Sequence, residues 1–228
     1  MRVVIMGGTA GIGLATAERL TGNGAEVIVT GRDAERLAAV RGRVWAAEEL
    51  DATDEDGVAE FFDRTGAFDH LVLVFSPGAV GAGPLRDVAL AEVRAMFDGK
   101  FFPYLHAVQR AKVTESITFI SAASARAAVP GTVTFAAVNG AIERIVSPLA
   151  AELAPIRVNA VSPGLIDTPF WSFLPEEHRQ AQFAAAAGSV PTGRIGTAED
   201  IAEAVAYLVG ASYVTGTILP VDGGYTVA

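Results

Sequence analysis

The sequence predicts a doubly wound α/β fold: a parallel sheet of about seven strands with helices on both faces. Three observations carry this expectation. Short apolar runs alternate with segments of helical periodicity from end to end, and strands buried on both faces are apolar throughout rather than alternating. A glycine-rich turn, Gly7-Gly8-Thr9-Ala10-Gly11-Ile12-Gly13, separates the first apolar run from the first helical one. The chain has 228 residues, 51% hydrophobic and 19% charged, which suits a single domain spanning residues 1–228 with a large core.

In chain order, residues 2–6 read as a buried strand and 12–21 as the helix after the turn. Residues 26–30 form the second strand, 34–40 a short helix and 44–48 a weaker third strand. A helix over 55–64 leads to a continuous apolar strand at 70–75. Residues 90–111 read as one long helix, bent or interrupted near Pro103, which lacks a backbone donor. A strand at 116–121 precedes a helix over 138–153 with Ile142, Ile145, Val146, Leu149 and Leu153 toward one side. Residues 157–161 are a strand. Thr197 and Asp200 have the spacing of a helix-start pair, and Ile201, Val205 and Leu208 repeat behind them. Residues 217–221 close the series. The stretch 164–197 reads as an irregular insertion carrying Phe170, Trp171, Phe173, Phe183 and four consecutive alanines. Its place beyond the C-terminal end of a strand suits a substrate lid, at about 165–197.

Composition narrows the function classes. The net charge is −9, and an acidic surface disfavours nucleic acid and anionic lipid. With no cysteine, disulfides and thiolate metal sites are excluded, and no His/Asp/Glu cluster has metal-ligand spacing, so no metal is expected. The apolar runs fall short of a membrane span, and the N-terminus enters a strand with no basic-then-apolar leader. The expected location is the cytoplasm.

The glycine-rich turn sits between strand and helix, the context that a Rossmann-like dinucleotide site requires. Glycines allow the tight turn and let a pyrophosphate approach the backbone, while the helix N-terminus faces it with free N–H groups and a partial positive charge. Gly7, Thr9, Gly11, Ile12 and Gly13 are the candidate residues. The spacing is G-x-x-x-G-x-G. The second strand ends in Gly31-Arg32, where an NAD site usually holds a carboxylate. A guanidinium suits a ribose 2′-phosphate in charge and geometry, so Arg32 favours NADP(H) over NAD. Asp51, just past the third strand, is placed either to accept from an adenine amino group or to cap the turn before Thr53.

Taken together, these features resemble the short-chain dehydrogenase/reductase family across essentially the whole chain. Gly7-x-x-x-Gly11-Ile12-Gly13 is similar to its cofactor loop, Arg157-Val158-Asn159-Ala160-Val161-Ser162-Pro163-Gly164 to its sixth strand and following turn, and Thr215-Gly216 with Val221-Asp222-Gly223-Gly224 to its C-terminal segment. The resemblance implies a cofactor surface that includes Ala52, Ser76, Pro77, Gly78, Pro163 and Gly164. It also implies that the backbone at Ile166 and the Thr168 hydroxyl meet the nicotinamide amide. Dimers or tetramers follow from the same likeness, with the long helices at the interface.

Four positions depart from that pattern. The family's Tyr proton donor falls on Phe135, its Lys on Asn139, its carbonyl-orienting Ser on Ala122 and an Asn of the long helix on Lys100. Phe135 has no ionisable proton, so the usual mechanism cannot run. Lys100 and Asn139 look like a reciprocal exchange that returns an ammonium and an amide to one space from opposite walls. Lys100, Asn139 and Ser121 are therefore the catalytic candidates, with Ser124 also near and Tyr104 a weaker one; Asn139 also counts among the candidate cofactor contacts. Two readings remain: an NADP(H)-dependent oxidoreductase acting on a carbonyl, imine or activated alkene of a small apolar or aromatic substrate, or a non-redox protein on the same scaffold, whether a sensor, a partner-binding protein, a lyase or an isomerase.

Overall fold

A computed structural model describes residues 1–227. In chain order its elements are β1 (Arg2–Met6), α1 (Gly11–Gly22), β2 (Glu26–Gly31), α2 (Ala34–Val40), β3 (Ala46–Glu49), α3 (Glu55–Thr65) and β4 (Ala67–Leu73). Then come α4 (Leu90–Met96), a π-helical turn (Phe97–Phe101), α5 (Phe102–Arg110), β5 (Lys112–Ile120), α6 (Val133–Glu152), β6 (Arg157–Pro163), β7 (Ile166–Asp167), α7 (Glu176–Ser189), β8 (Gly196–Thr197), α8 (Ala198–Gly210) and β9 (Ile218–Val221). Seven strands form one sheet in the order β3-β2-β1-β4-β5-β6-β9, and every neighbouring pair is parallel. The order reverses between β1 and β4, and the crevice beyond the strand C-termini at such a reversal is where α/β sheets bind ligands.

Two cores cover the sheet, as alternation along each strand requires. Val4 and Met6 join Phe61 and Phe62 of α3, Tyr104 of α5 and Ile142 and Val146 of α6. Val3 and Ile5 join Leu20 of α1 and Ile201, Val205 and Leu208 of α8 on the other face. The expected capping box forms: Thr197 accepts from the Asp200 backbone and Asp200 accepts from the Thr197 backbone.

Several elements differ from the sequence expectation: β5 begins at Lys112 rather than 116, and α6 begins at Val133 rather than 138, so that Phe135 lies in its first turn. β4 starts and ends earlier than residues 70–75, because Phe68 is already paired with Val113 and the ladder shifts register between Phe68 and His70. The long helix does not break at Pro103. It widens just ahead of it, with the Phe102 N–H bonded to the Phe97 carbonyl five residues back; a proline with no N–H to give relaxes the ladder at that point. The stretch after Gly164 is not irregular, since most of it is the short turn Pro169–Phe173 and the 14-residue helix α7.

Candidate functional site

The glycine loop after β1 is shaped by contacts that forbid side chains. Gly7 and Gly11 have positive φ, 91° and 50°, a region that glycine enters without penalty. A Cβ on Gly13 would lie 2.1 Å from the Gly7 carbonyl oxygen, and one on Gly7 would lie 2.8 Å from the Phe75 nitrogen, two residues beyond β4. A Cβ on Gly11 would meet Thr168 at 3.3 Å, so the segment after Gly164 lies over the loop. Helix α1 has no side-chain cap and no acidic residue in its first turn, whereas Asp33, Asp54 and Thr197 cap α2, α3 and α8. Uncapped N–H donors beside a bare backbone cradle fit a phosphate group.

At the end of β2, a Cβ on Gly31 would meet Thr9 at 2.7 Å. Thr9 therefore closes over the strand end, and Arg32 stands beyond it with its side chain 65% exposed, 3.8 Å from the Asp51 carboxylate. That separation leaves most of the guanidinium's donors open. Asp51 accepts from the Thr53 N–H at 2.9 Å and from its hydroxyl at 2.8 Å. Burial alone would raise its carboxyl, but these bonds and the Arg32 charge outweigh that and hold it below the usual range. Ser76 Oγ accepts from Gly78 N–H at 3.3 Å. Pro77 packs on Gly99, where a Cβ would come within 2.8 Å, tying the turn after β4 to the π-helical turn. Ile166 is buried, and its carbonyl accepts from the Trp171 indole at 3.0 Å. Trp171 also packs edge-on with Phe170 and Phe183.

At the other side of the crevice the exchanged pair meets. Lys100, only 7% exposed, donates to Asn139 Oδ1 at 2.7 Å. Asn139 Nδ2 in turn reaches Ser124 Oγ at 3.2 Å and the Phe135 carbonyl at 3.0 Å. Burial holds the Lys100 ammonium down to about 7 from an ordinary 10.5, the range in which an amine exchanges protons near neutrality. Its Nζ also stands 5.8 Å from the centre of the Tyr104 ring.

Ser121 differs from its expected position in the cleft. It is 3% exposed, and its proton goes to Glu143 Oε1 at 2.8 Å, with the Val161 carbonyl at 3.3 Å. Glu143 is paired with Arg126 at 3.4 Å. Sequence reasoning passed over Glu143, although it follows Asn139 by four residues and so shares its helix face. Tyr104 is fully buried, and its hydroxyl donates to the carbonyls of Phe75, two residues beyond β4, and Ile120, at the end of β5. Burial pushes that phenol well above its ordinary range, which makes it a poor acid. Histidines stand elsewhere: His70 bonds Ser116 at 2.8 Å, His106 bonds the Glu55 carbonyl and His178 is exposed on α7. Among the described residues, no three His, Cys, Asp or Glu side chains gather to hold a metal ion, and no helix is long and apolar enough to cross a membrane.

Comparison with known proteins matches residues 7–226 to a family model described as enoyl-(acyl carrier protein) reductase. The chain is 34% identical to the cis-4-hydroxycyclohexanecarboxylate dehydrogenase of Sinomonas cyclohexanicum, over 98% of this chain and 95% of that one. It is 30% identical to the NADP-dependent (R)-specific alcohol dehydrogenase of Lentilactobacillus kefiri, again over 98% and 95%. A crystal structure of a small-chain dehydrogenase in complex with NADPH superposes with a TM-score of 0.86 at 34% identity, covering 100% of this chain and 99% of that one.

Proposed function

The chain belongs to the short-chain dehydrogenase/reductase family, and from that premise we propose that it is an NADP(H)-dependent oxidoreductase with a non-standard proton source. A nicotinamide, when bound, supplies or accepts the hydride; the protein supplies the rest. The loop 7–13 and the first turn of α1 would hold the pyrophosphate. Arg32 would read the 2′-phosphate, and Asp51 and Ala52 would border the adenine. Ser76, Pro77, Gly78, Pro163, Gly164, Ile166 and Thr168 would line the nicotinamide and its ribose. The cradle that a Cβ would fill at Gly7 and Gly13 supports this placement.

The observation that carries the reading is the buried contact between Lys100 and Asn139. An ammonium inside a neutral amide and aromatic shell is expensive because no counter-charge offsets its desolvation, and groups held at such a cost concentrate at functional sites. Here it keeps a proton near neutral pH at the corner where Phe135 supplies none. The substrate is a small apolar or aromatic carbonyl, imine or activated alkene. The cluster of Phe170, Trp171 and Phe173, with Phe170 and Phe173 partly exposed, supports an apolar cover, and the segment at about 165–197 acts as the lid that excludes water. Assembly into a homodimer or homotetramer belongs to the same reading, supported by the exposed apolar Leu90, Phe102 and Val133.

The direct test is transfer of deuterium from stereospecifically labelled NADPH to product across a panel of aromatic ketones, imines and enones. Label in product establishes the oxidoreductase. Tight NADPH binding with no transfer to any member would replace it with the non-redox reading, which the loss of a phenol at position 135 favours.

A further inference from the structure

An ammonium has three donors and no acceptor. The Phe135 carbonyl can only accept, so the end of the Asn139 amide 3.0 Å from it is the nitrogen, and the carbonyl oxygen is the end that faces Lys100 Nζ at 2.7 Å, as a protonated lysine requires. The nitrogen end is turned away, and its two hydrogens have two acceptors in reach, the Phe135 carbonyl at 3.0 Å and Ser124 Oγ at 3.2 Å. Ser124 is thus the receiver in that contact, and its own proton is left over. Ser124 is half-buried, whereas Lys100 and Asn139 behind it are buried. The other serine at this end of β5, Ser121, has no such freedom, because Glu143 takes its proton.

We infer that Ser124 is the hydroxyl that donates to the substrate's oxygen, aimed into the cleft by Lys100 acting through the Asn139 amide. This rests on the oxidoreductase reading for the identity of the substrate, but the donor itself is a property of the three side chains. Each link strengthens the next: an amide whose oxygen accepts from a cation is a better N–H donor, and a hydroxyl that accepts from it is a better O–H donor. The ligand class that gains most is an oxygen bearing negative charge on an apolar or aromatic frame, such as a phenolate or an enolate. Lys100 and Asn139 are positioning residues in this arrangement, and Ser124 touches the ligand.

The probe is 4-nitrophenol, whose phenolate absorbs visibly and whose ionisation reports a donor at its oxygen. It is titrated into the full chain with and without saturating NADP+. The wild type is expected to bind the phenolate and to lower its apparent pKa. Ser124→Ala should weaken phenolate binding at least tenfold (about 1.4 kcal/mol), while Ser121→Ala should change it less than twofold. Asn139→Asp is the sharper variant: its carboxylate still accepts from Lys100 but also accepts from Ser124, drawing the serine proton back. It should lose phenolate binding as Ser124→Ala does, at a thermal midpoint near that of the wild type. Wild-type affinity in Ser124→Ala, a loss confined to Ser121→Ala, or no phenolate binding by the wild type would each overturn the inference. An NADPH titration on the same preparation separates the two claims: failure there removes the oxidoreductase reading, and the cofactor-free phenolate titration still decides Ser124.

Discussion

At the end of the crevice lined by the glycine loop, the backbone is the proposed binding element. Gly7, Gly11 and Gly13 matter for the atoms they lack: backbone atoms of the same small region exclude a side chain at Gly7 and Gly13, and a positive φ with Thr168 close by disfavours one at Gly11. At the Lys100–Asn139 corner the reverse holds. Lys100, Asn139 and Ser124 matter for the atoms they carry, and they come from a π-helical turn, α6 and the segment just after β5. A backbone cradle tolerates almost no substitution at its glycines. A corner built from side chains can exchange partners across the gap as long as donor, acceptor and charge return to the same place.

The largest effect that would break this contrast is at Gly13. Gly13→Ala forces a Cβ into the space of the Gly7 carbonyl, 2.1 Å away, and neither backbone segment can yield without moving β1 or α1. NADPH affinity should fall at least a hundredfold, or the fold should be lost, a destabilisation of about 3 kcal/mol or more. Near-normal nicotinamide fluorescence titration and melting of Gly13→Ala would mean that the loop is more pliable than its contacts imply.

Next in size is the buried ammonium. Below pH 7 Lys100 holds its proton in both the folded and unfolded chain, and the folded state carries the full cost of a desolvated charge. Between about 7 and 10.5 the unfolded chain binds more protons than the folded one, so stability rises with pH through that window. The rise amounts to a few kcal/mol across that window. Lys100→Met should flatten the profile and should be relatively more stable at pH 6 than at pH 10. Urea unfolding at the two pH values measures both; a wild-type profile parallel to that of the variant would show that the charge is not buried as described.

The smallest effect is at the exposed edge of the cradle. Arg32→Ala should weaken NADPH by about tenfold and leave NADH nearly unchanged, roughly 1.4 kcal/mol, since a largely exposed guanidinium contributes through a screened contact. Raising the salt should narrow the gap between the two cofactors in the wild type. Equal loss of NADPH and NADH would move Arg32 from phosphate reader to structural support for Asp51.

Legibility followed the range of the interaction. The strands of the sheet are readable because apolar runs report burial directly, and Thr197 with Asp200 is readable because a capping box closes within four residues. Glu143 was within reach of the same local logic, four residues beyond Asn139. The π-helical turn was not. Pro103 signals a disturbance, but whether the helix bends, breaks or widens is settled only by its hydrogen bonds in the folded chain, where the Phe102 N–H reaches the Phe97 carbonyl. Helix α7 was hidden for a related reason, since its alanines and polar residues lack a strong apolar stripe and Phe183 is its one buried side chain.

The sequence by itself determined the parallel sheet, the glycine-lined turn after β1 and the absence of an acid at Phe135, because these depend on local periodicity, on glycine at fixed spacing and on the chemistry of a single side chain. It also raised the exchange of Lys100 with Asn139. Only the tertiary structure decided that the two side chains touch, that the contact is buried, and that Ser124 rather than Ser121 keeps a free proton. Those outcomes depend on the direction of hydrogen bonds between residues 15 and 39 positions apart, and direction is fixed when α6, the π-helical turn and the end of β5 are packed together, not before.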